Sequence, residues 1–323
     1  MERRVIVEMN NQPLVSVPVI TYNSSKFVLE TLESIKVQTY QNIELIISDD
    51  CSTDNTVELC QKWVEENKER FVRTQIITSD LNTGVSANGN RGRDACQGEW
   101  IKGIAGDDLL MPNCIADCME YVQQNTNIIY LFGRIEAFGA NEETNKFFTE
   151  SVFDYSFFDL DVEGQLERLV FGSNCVPAAT CFYNRKKAIE LGIRNDERIP
   201  LLEDWPKWIS ILEKGVKLEF MDKVVVRYRI HEGALSTKGV LSSRYVHSNL
   251  LFDLLYRYPK WMEIDSKSAS MRYAEYYANI YSNVYNEYMR IQKKLATIQS
   301  SHIYRIGSFL LKPLKKFKKL LKK

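Results

Sequence analysis

Ile43-Glu44-Leu45-Ile46-Ile47-Ser48-Asp49-Asp50-Cys51-Ser52-Thr53-Asp54 is a short, nearly unbroken apolar run that stops at a cluster of acids and hydroxyls. Its length predicts a buried strand over 43–48, and the residues after it predict a helix over 54–67 with Ser52 or Asp54 as its cap. The same unit recurs on both sides. Upstream, Leu14–Ile20 reads as a strand, Thr21-Tyr22-Asn23-Ser24 punctuates it, and Phe27, Leu32 and Ile35 repeat at helical spacing. Downstream come a strand over Arg73–Thr78, a helix over Ser86–Cys96 and a strand over Trp100–Ile104. Strands alternating with helices predict an α/β fold, a mostly parallel mixed sheet flanked by helices. Pro18 lies inside the first strand, where it cannot donate to a ladder, and so marks a bulge or an unpaired position.

The second half is less regular. Residues 140–160 are acidic and aromatic and read as a loop over the sheet. Val176–Tyr183, Lys217–Phe220 and Val224–Ile230 read as strands, Leu201–Leu212 carries a helix, and the pattern is helical from Leu241. The expected organisation is a nucleotide-binding domain over 1–240, a helical extension over 241–302 and a basic tail over 303–323.

Composition, with 45% apolar and 26% charged residues in 323, is that of an ordinary globular chain. The net charge of zero conceals an asymmetry: residues 288–323 hold eleven of the 42 basic residues and no acid, leaving 31 basic against 42 acidic in the body. Basic charge gathered at one end points to an anionic partner for that end. Seven cysteines, and an opening Met1–Arg4 without an apolar signal region, lead to the expectation of reduced thiols in the cytoplasm. Cys114 and Cys118 lie one helical turn apart, but none of the three histidines (231, 247, 302) is adjacent, so a zinc site is not expected. No apolar run approaches the ~20 residues that cross a bilayer.

In open α/β sheets ligands bind beyond the carboxyl ends of the strands. Here four successive ends are polar or acidic: Thr21-Tyr22-Asn23, Asp49-Asp50, Asp80 to Asn82, and Asp107-Asp108. Neighbouring residues on a strand face opposite ways, so Asp107 and Asp108 converge only in a turn, for which Gly106 supplies the freedom. Two such carboxylates suit Mn²⁺ or Mg²⁺ carrying a diphosphate; a solvated turn would look the same. Asp50, at a strand tip, is placed to accept hydrogen bonds from a nucleobase or ribose. Glu203-Asp204 precedes an apolar helical stretch and is either a cap or a general base. His231 follows the last strand, where it is either structural or in touch with metal or diphosphate. The chain has no Gly-Lys-Ser/Thr phosphate loop, no Gly-x-Gly-x-x-Gly after strand one and no Gly-x-Ser-x-Gly elbow, which tells against P-loop, dehydrogenase and hydrolase chemistry.

Taken in order, Val15-Ser16-Val17, Thr21-Tyr22-Asn23, Glu44 to Asp54, Asn82-Thr83-Gly84-Val85-Ser86, Gly98-Glu99-Trp100-Ile101, Gly106-Asp107-Asp108, Glu203-Asp204 and His231 resemble the bacterial family 2 glycosyltransferases of GT-A fold. The resemblance covers residues 13 to about 235 and implies an inverting transfer from a nucleotide-diphosphate sugar, UDP-linked by preference, to a saccharide hydroxyl. It implies that Thr21, Tyr22, Asn23, Asp50 and Asn82 hold the nucleotide, and that Asp107 lies near ribose or diphosphate. Asp108 and His231 would then be on the metal, Glu203 near substrate, and Asp204 would act as base. Two departures matter: Ala105 stands where many relatives carry a first acid, and Gly89 where they carry Arg, so Arg91 or Arg93 is the candidate to contact the diphosphate instead.

Ile306, Phe309, Leu310, Leu314, Phe317 and Leu320 repeat at helical spacing among seven lysines over 312–323. Such a basic amphipathic segment lies in an anionic lipid interface. The expectation is a peripheral protein on the inner face of the cell membrane, working on a lipid-linked acceptor in surface polysaccharide synthesis. Nucleic acid is not an expected partner, because the acidic body repels phosphates; a homodimer through the Tyr-rich stretch 245–290 is left open. The alternatives are a sugar-nucleotide pyrophosphorylase, which would need a Gly-rich basic loop after strand one, and a non-catalytic nucleotide-sugar-binding protein.

Overall fold

β1 (Val15–Thr21) and β2 (Ile43–Asp49) are almost wholly buried and pair in parallel, with β3 (Arg73–Thr78) added in parallel outside β2. A strand covered on both faces needs a continuous apolar run, which is what 15–20 and 43–47 supply. The structure, a computed structural model, describes residues 12–232, 243–264, 289 and 293. Residues 1–260 form one compact unit and 261–323 a second. The expected basic tail over 303–323 and most of the 245–290 stretch lie outside the described residues.

Helices α1 (Val28–Lys36), α2 (Thr56–Asn67) and α3 (Val85–Asp94) connect the parallel strands. α1 buries Val28, Thr31, Leu32 and Ile35, the stripe its spacing predicts. Asn55 stands at the N-cap position of α2 without a side-chain cap bond; Asp54 accepts from the N–H of Thr56, the first residue of the helix, and from that of Ser25, while Ser52 turns to Asp49. The expected fourth strand is two pieces, β4 (Trp100–Lys102) and β5 (Ile104–Ala105), both parallel to β1. β1 pairs through Val15 and Ser16 with β4, then through Val19 and Ile20 with β5. Pro18 thus falls where the ladder is already interrupted, which accounts for a proline inside a central strand.

The second half closes the sheet with antiparallel pairs. β6 (Leu109–Leu110) pairs with β9 (Leu218–Arg229), and β8 (Phe182–Asn184) lies between β4 and β7 (Tyr130–Phe138), while β7 and β9 run parallel. The order is β3-β2-β1-β4-β8-β7-β9-β6. α4 (Cys114–Gln124) and α7 (Arg185–Glu190) follow β6 and β8.

Several expectations need correction here. The 140–160 loop is a helix, α5 (Glu142–Ser151), followed by a 3-10 turn over Tyr155–Asp159. Asn141 and Asp154 cap the two, and Glu142 and Glu143 sit in the first turn of α5, where acids favour the helix dipole. The strand expected over Val176–Tyr183 is confined to its last residues, because Pro177 leads into a 3-10 turn at Ala178–Thr180. The strands expected over 217–220 and 224–230 are one strand, β9, whose pairing with β7 shifts register between Phe132 and Ile135. α6 (Val162–Phe171) was not foreseen. α8 spans Trp205–Glu213 and starts late, because Asp204 caps it and a proline occupies its first turn. Beyond it lie α9 (Ser243–Phe252), a π-helical turn (Asp253–Arg257) and α10 (Tyr258–Ile264). No helix among the described residues is long and apolar enough to cross a membrane.

Candidate active site

The loops after β1 and β2 are stapled together. Thr21 Oγ1 donates to Asp49 Oδ1 at 2.8 Å, and Ser52 N donates to Asp49 Oδ2 at 2.8 Å. Asn23 stands in the left-handed region (φ 51°), its N–H donating to Ser52 Oγ and its side-chain oxygen accepting from Thr53 N, both at 2.8 Å. Cys51, also left-handed (φ 66°), completes the turn, and Tyr22 projects from it 48% exposed.

Asp50 points the other way and is 2% exposed. Its carboxylate accepts from Thr83 Oγ1 at 2.6 Å, Gly84 N at 2.7 Å and Arg91 Nη2 at 2.8 Å. Burial pushes the carboxyl up, but those bonds from Thr83, Arg91 and Gly84 outweigh it and hold the group below the ordinary range. With the backbone N–H of Thr83 also directed at it, the carboxylate holds the turn at Thr83-Gly84 in place. Asn82 lies in the same turn, one residue before Thr83. Arg91 is therefore spent on Asp50, with its buried Nε left without a partner, while Arg93 donates to Ile193 O and Asp94. Where relatives carry Arg, a Cβ on Gly89 would stand 2.7 Å from Asn195 Nδ2.

The acid turn between β5 and β6 is held against the end of β1. Gly106 N donates to Ile20 O at 2.9 Å, and a Cβ there would come within 2.8 Å of Thr21 Cγ2, so only glycine allows this approach. Arg229 fastens the turn from the end of β9: its N–H donates to Asp108 Oδ1 at 2.8 Å and its Nε to Asp107 O at 2.7 Å, while Nη2 reaches Glu30 at 2.8 Å. His231 Nε2 lies 3.1 Å from Asp107 Oδ2, and its ring packs on Phe27 at 4.7 Å. The structure thus joins His231 directly to Asp107, and seats Asp108 deeper, on backbone. Burial, and next the charge of Asp107, push the Asp108 carboxyl up to about 8. Lys102, 0% exposed, brings a buried ammonium that donates to Gly103 O and Ala179 O and opposes that shift.

This donor set fits a hard divalent cation. Asp107 and His231 keep side-chain exposures of 30% and 21%, and a carboxyl whose ionisation is resisted by burial and by a neighbouring acid is one that a cation would ionise. Among the described residues no three acid, His or Cys side chains form a ready-made cage. A magnesium-like site completed by substrate phosphates needs none.

Asp204 caps α8. Its Oδ1 accepts from Trp205 N and its Oδ2 from Asn174 Nδ2, both at 2.7 Å. Burial dominates and raises its carboxyl above the usual value; Glu203 beside it is pushed up to about 7 by burial and then by the charge of Asp204. The pair follows directly on Pro200, which lies against Gly84, while Ser86 Oγ donates to Ile199 O at 2.6 Å. Gly84 in turn holds Asp50, Thr21 O accepts from Asp50 N, and Thr21 touches the Gly106 turn. The expected groups Thr21, Asn23, Asp50, Arg91, Asp107, Asp108 and His231 are linked by contacts at the carboxyl end of the sheet; Tyr22 and Asn82 neighbour them in the chain, and Glu203 and Asp204 approach them through Pro200 at Gly84. Sequence reading missed Arg229, Asn174, Thr83 and Lys102. Only Arg229, a cation inside an apolar strand beside His231, carried a signal.

A parallel half-sheet with polar strand ends, an acid turn at its centre and a capped carboxylate beyond define an α/β domain of GT-A fold. The chain belongs to glycosyl transferase family 2, whose sequence profile matches residues 16–192. It is 24% identical over 228 residues to a putative teichuronic acid biosynthesis glycosyltransferase, TuaG, of Bacillus subtilis, covering 71% of this chain and 83% of that one. It is 34% identical over 124 residues to a putative colanic acid biosynthesis glycosyl transferase, WcaA, of Escherichia coli, covering 38% and 43%. Among solved structures, S. aureus TarS 1-349 in complex with UDP-GlcNAc superposes with a TM-score of 0.56 at 18% identity, covering 70% of this chain and 61% of that chain. That likeness is one of fold.

Proposed function

We propose that this chain is an inverting, metal-dependent glycosyltransferase that moves a sugar from a UDP-sugar to a hydroxyl of a saccharide acceptor carried on a lipid. The observation that carries the reading is Asp204, a carboxylate held by two hydrogen bonds on the one segment that also packs against the donor loop at Gly84. Thr21, Tyr22, Asn23 and Asn82 would enclose the nucleoside, with Asp50 at its base or ribose and holding the Thr83-Gly84 turn beside it. Asp204 accepts the proton of the acceptor hydroxyl as its oxygen attacks the anomeric carbon, and the bond from that carbon to the diphosphate oxygen breaks. One displacement inverts the centre and needs no protein nucleophile. Asp107, Asp108 and His231 would hold Mn²⁺ or Mg²⁺, which when bound neutralises charge on the departing diphosphate. Arg229 keeps the two aspartates in place.

Support comes from the family, from the names of relatives in polysaccharide synthesis, and from the UDP-GlcNAc complex of the structural neighbour. Calorimetric titration with nucleoside diphosphates is expected to show UDP binding that depends on Mn²⁺. Asp108→Ala should weaken it by at least about tenfold, on the order of 1.4 kcal/mol. Equal binding with and without metal, or none, ends the metal-dependent reading. Deleting 303–323 is expected to abolish binding to anionic phosphatidylglycerol vesicles and leave UDP affinity unchanged; undiminished vesicle binding would remove the tail from the proposal.

A further inference from the structure

The cradle of Asp204 has two arms, and both lead to the same residue outside the matched family region. One arm is Trp205 N–H on Oδ1; the other is the Asn174 amide on Oδ2. Trp205 continues through its indole, whose Nε1 donates to Leu169 O at 3.0 Å, and its ring packs on Phe252 at 4.6 Å. Asn174 follows α6 by three residues, so its position is set by where the last turn of α6 ends. Arg257, in the π-helical turn, meets both arms. Its Nε donates to Val170 O at 2.7 Å, tying the end of α6, and its guanidinium stands over the Trp205 ring at 5.2 Å. Arg257 is 5% exposed and Asp253, which receives its Nη1 at 3.2 Å, is 1% exposed.

A buried ion pair is a costly way to hold a helix, since desolvation cancels most of its attraction. A π turn inside a helix is likewise less favourable than α, and such turns recur at functional sites. Here the wider turn carries both Asp253 and Arg257, and the guanidinium of their pair touches one support of Asp204, Trp205, directly and the end of α6, four residues before the other support Asn174, through Val170 O. The neighbouring Tyr256 adds a bond of 3.0 Å from its hydroxyl to Asp196, on the segment that leads from α7 to Glu203.

We infer that Arg257, paired with Asp253, is a positioning residue for the catalytic carboxylate: the segment after β9 completes the cradle of Asp204. The inference rests on Asp204 being the base, and it makes the stretch from Phe252 to Arg257 part of the working site. It acts on the geometry of proton transfer and leaves the donor loops alone, so chemistry and nucleotide binding should separate.

The test uses the full chain with Arg257→Met, Arg257→Lys, Trp205→Phe and Asp204→Asn. Hydrogen exchange, UDP affinity, and UDP release from whichever UDP-sugar the wild type turns over fastest are measured for each. Arg257→Met is expected to speed amide exchange over 169–176 and 202–208 but not over 43–54, to keep UDP affinity within about twofold, and to lower turnover ten- to thirtyfold. Arg257→Lys should recover part of that loss. Should Arg257→Met fail to fold, Trp205→Phe, which removes the indole N–H and narrows the ring that meets Phe252 and Arg257, is expected to show the same local pattern. Unchanged exchange in those two stretches, or unchanged turnover in a chain that Asp204→Asn silences, overturns the inference. An Asp204→Asn chain as active as wild type overturns the base assignment instead, and the inference with it.

Discussion

Asp204→Asn is expected to lower turnover about a thousandfold, within the range for loss of a general base, while UDP affinity stays within about twofold. The amide is isosteric and keeps an oxygen for Trp205 N–H, so the cap of α8 survives, while its N–H₂ takes the place of the oxygen that accepts from Asn174 and the proton acceptor is removed. Binding is spared because the nucleoside loops draw on Asp49, Asp50 and Gly84, none of which bonds to Asp204. A turnover loss below about threefold would exclude Asp204 from the chemistry. A matching loss of UDP affinity would make it a donor-site residue.

The pH profile follows from the same burial. A base must be ionised to accept a proton, and burial raises the Asp204 carboxyl, so the acid limb of kcat/KM should lie above the ordinary aspartate value of about 3.9. Glu203 is pushed up to about 7 by burial and then by the charge of Asp204, so it is largely protonated on the acid side of neutrality. Glu203→Gln is therefore expected to retain most of the turnover with the acid limb nearly in place. A limb at or below pH 4 in the wild type would contradict the burial argument.

The parallel half of the fold was legible because each of its strands is a run of apolar residues closed by a polar tip, as at 43–50, and because its helices bury one stripe each. The other half was not. Pro177 breaks what reads as a strand, Asn141 turns an acidic aromatic stretch into a capped helix, and β9 absorbs two apparent strands through a register shift. In the site, carboxylates at strand ends announce themselves by position along the chain. Their partners do not, since Arg229 meets Asp108 across 121 positions and Asn174 meets Asp204 across 30. Nor does spacing tell where a long side chain ends: Arg91 and Arg93 lie two apart on α3, yet one reaches Asp50 and the other Ile193 O. The vacancy at Gly89 is explained only by Asn195, more than a hundred residues further on.

The largest effect on stability is expected at the opposite end of the sheet, from Glu44→Gln. Glu44 is charged, fully buried and central in β2, a placement that a carboxylate tolerates only with compensation. Ser16 Oγ and the backbone N–H groups of Gln97 and Gly98 donate to Oε1, while Arg73 Nη1 donates to Oε2 at 2.8 Å. One side chain thus binds β1, β3 and the turn into β4 to β2. Burial pushes the carboxyl up, but the four donors outweigh it and hold it below its ordinary value. Glutamine keeps one acceptor oxygen and sets an amide N–H₂ against Arg73, so unfolding free energy should fall by about 3 kcal/mol at neutral pH, the scale for breaking a buried ion pair. Arg73 remains part-exposed and can turn to water, which limits the loss. The sign with pH is fixed by the direction of the shift. A carboxylate held low in the folded state contributes stability above its unfolded value of about 4.3 and loses it as the pH falls through the folded one. The gap between wild type and Glu44→Gln, followed by urea unfolding from pH 7 to pH 3, should therefore be widest at pH 7 and narrow below about pH 4. A gap that stays constant down to pH 3 would mean that Glu44 stabilises the sheet by its shape and not by its charge.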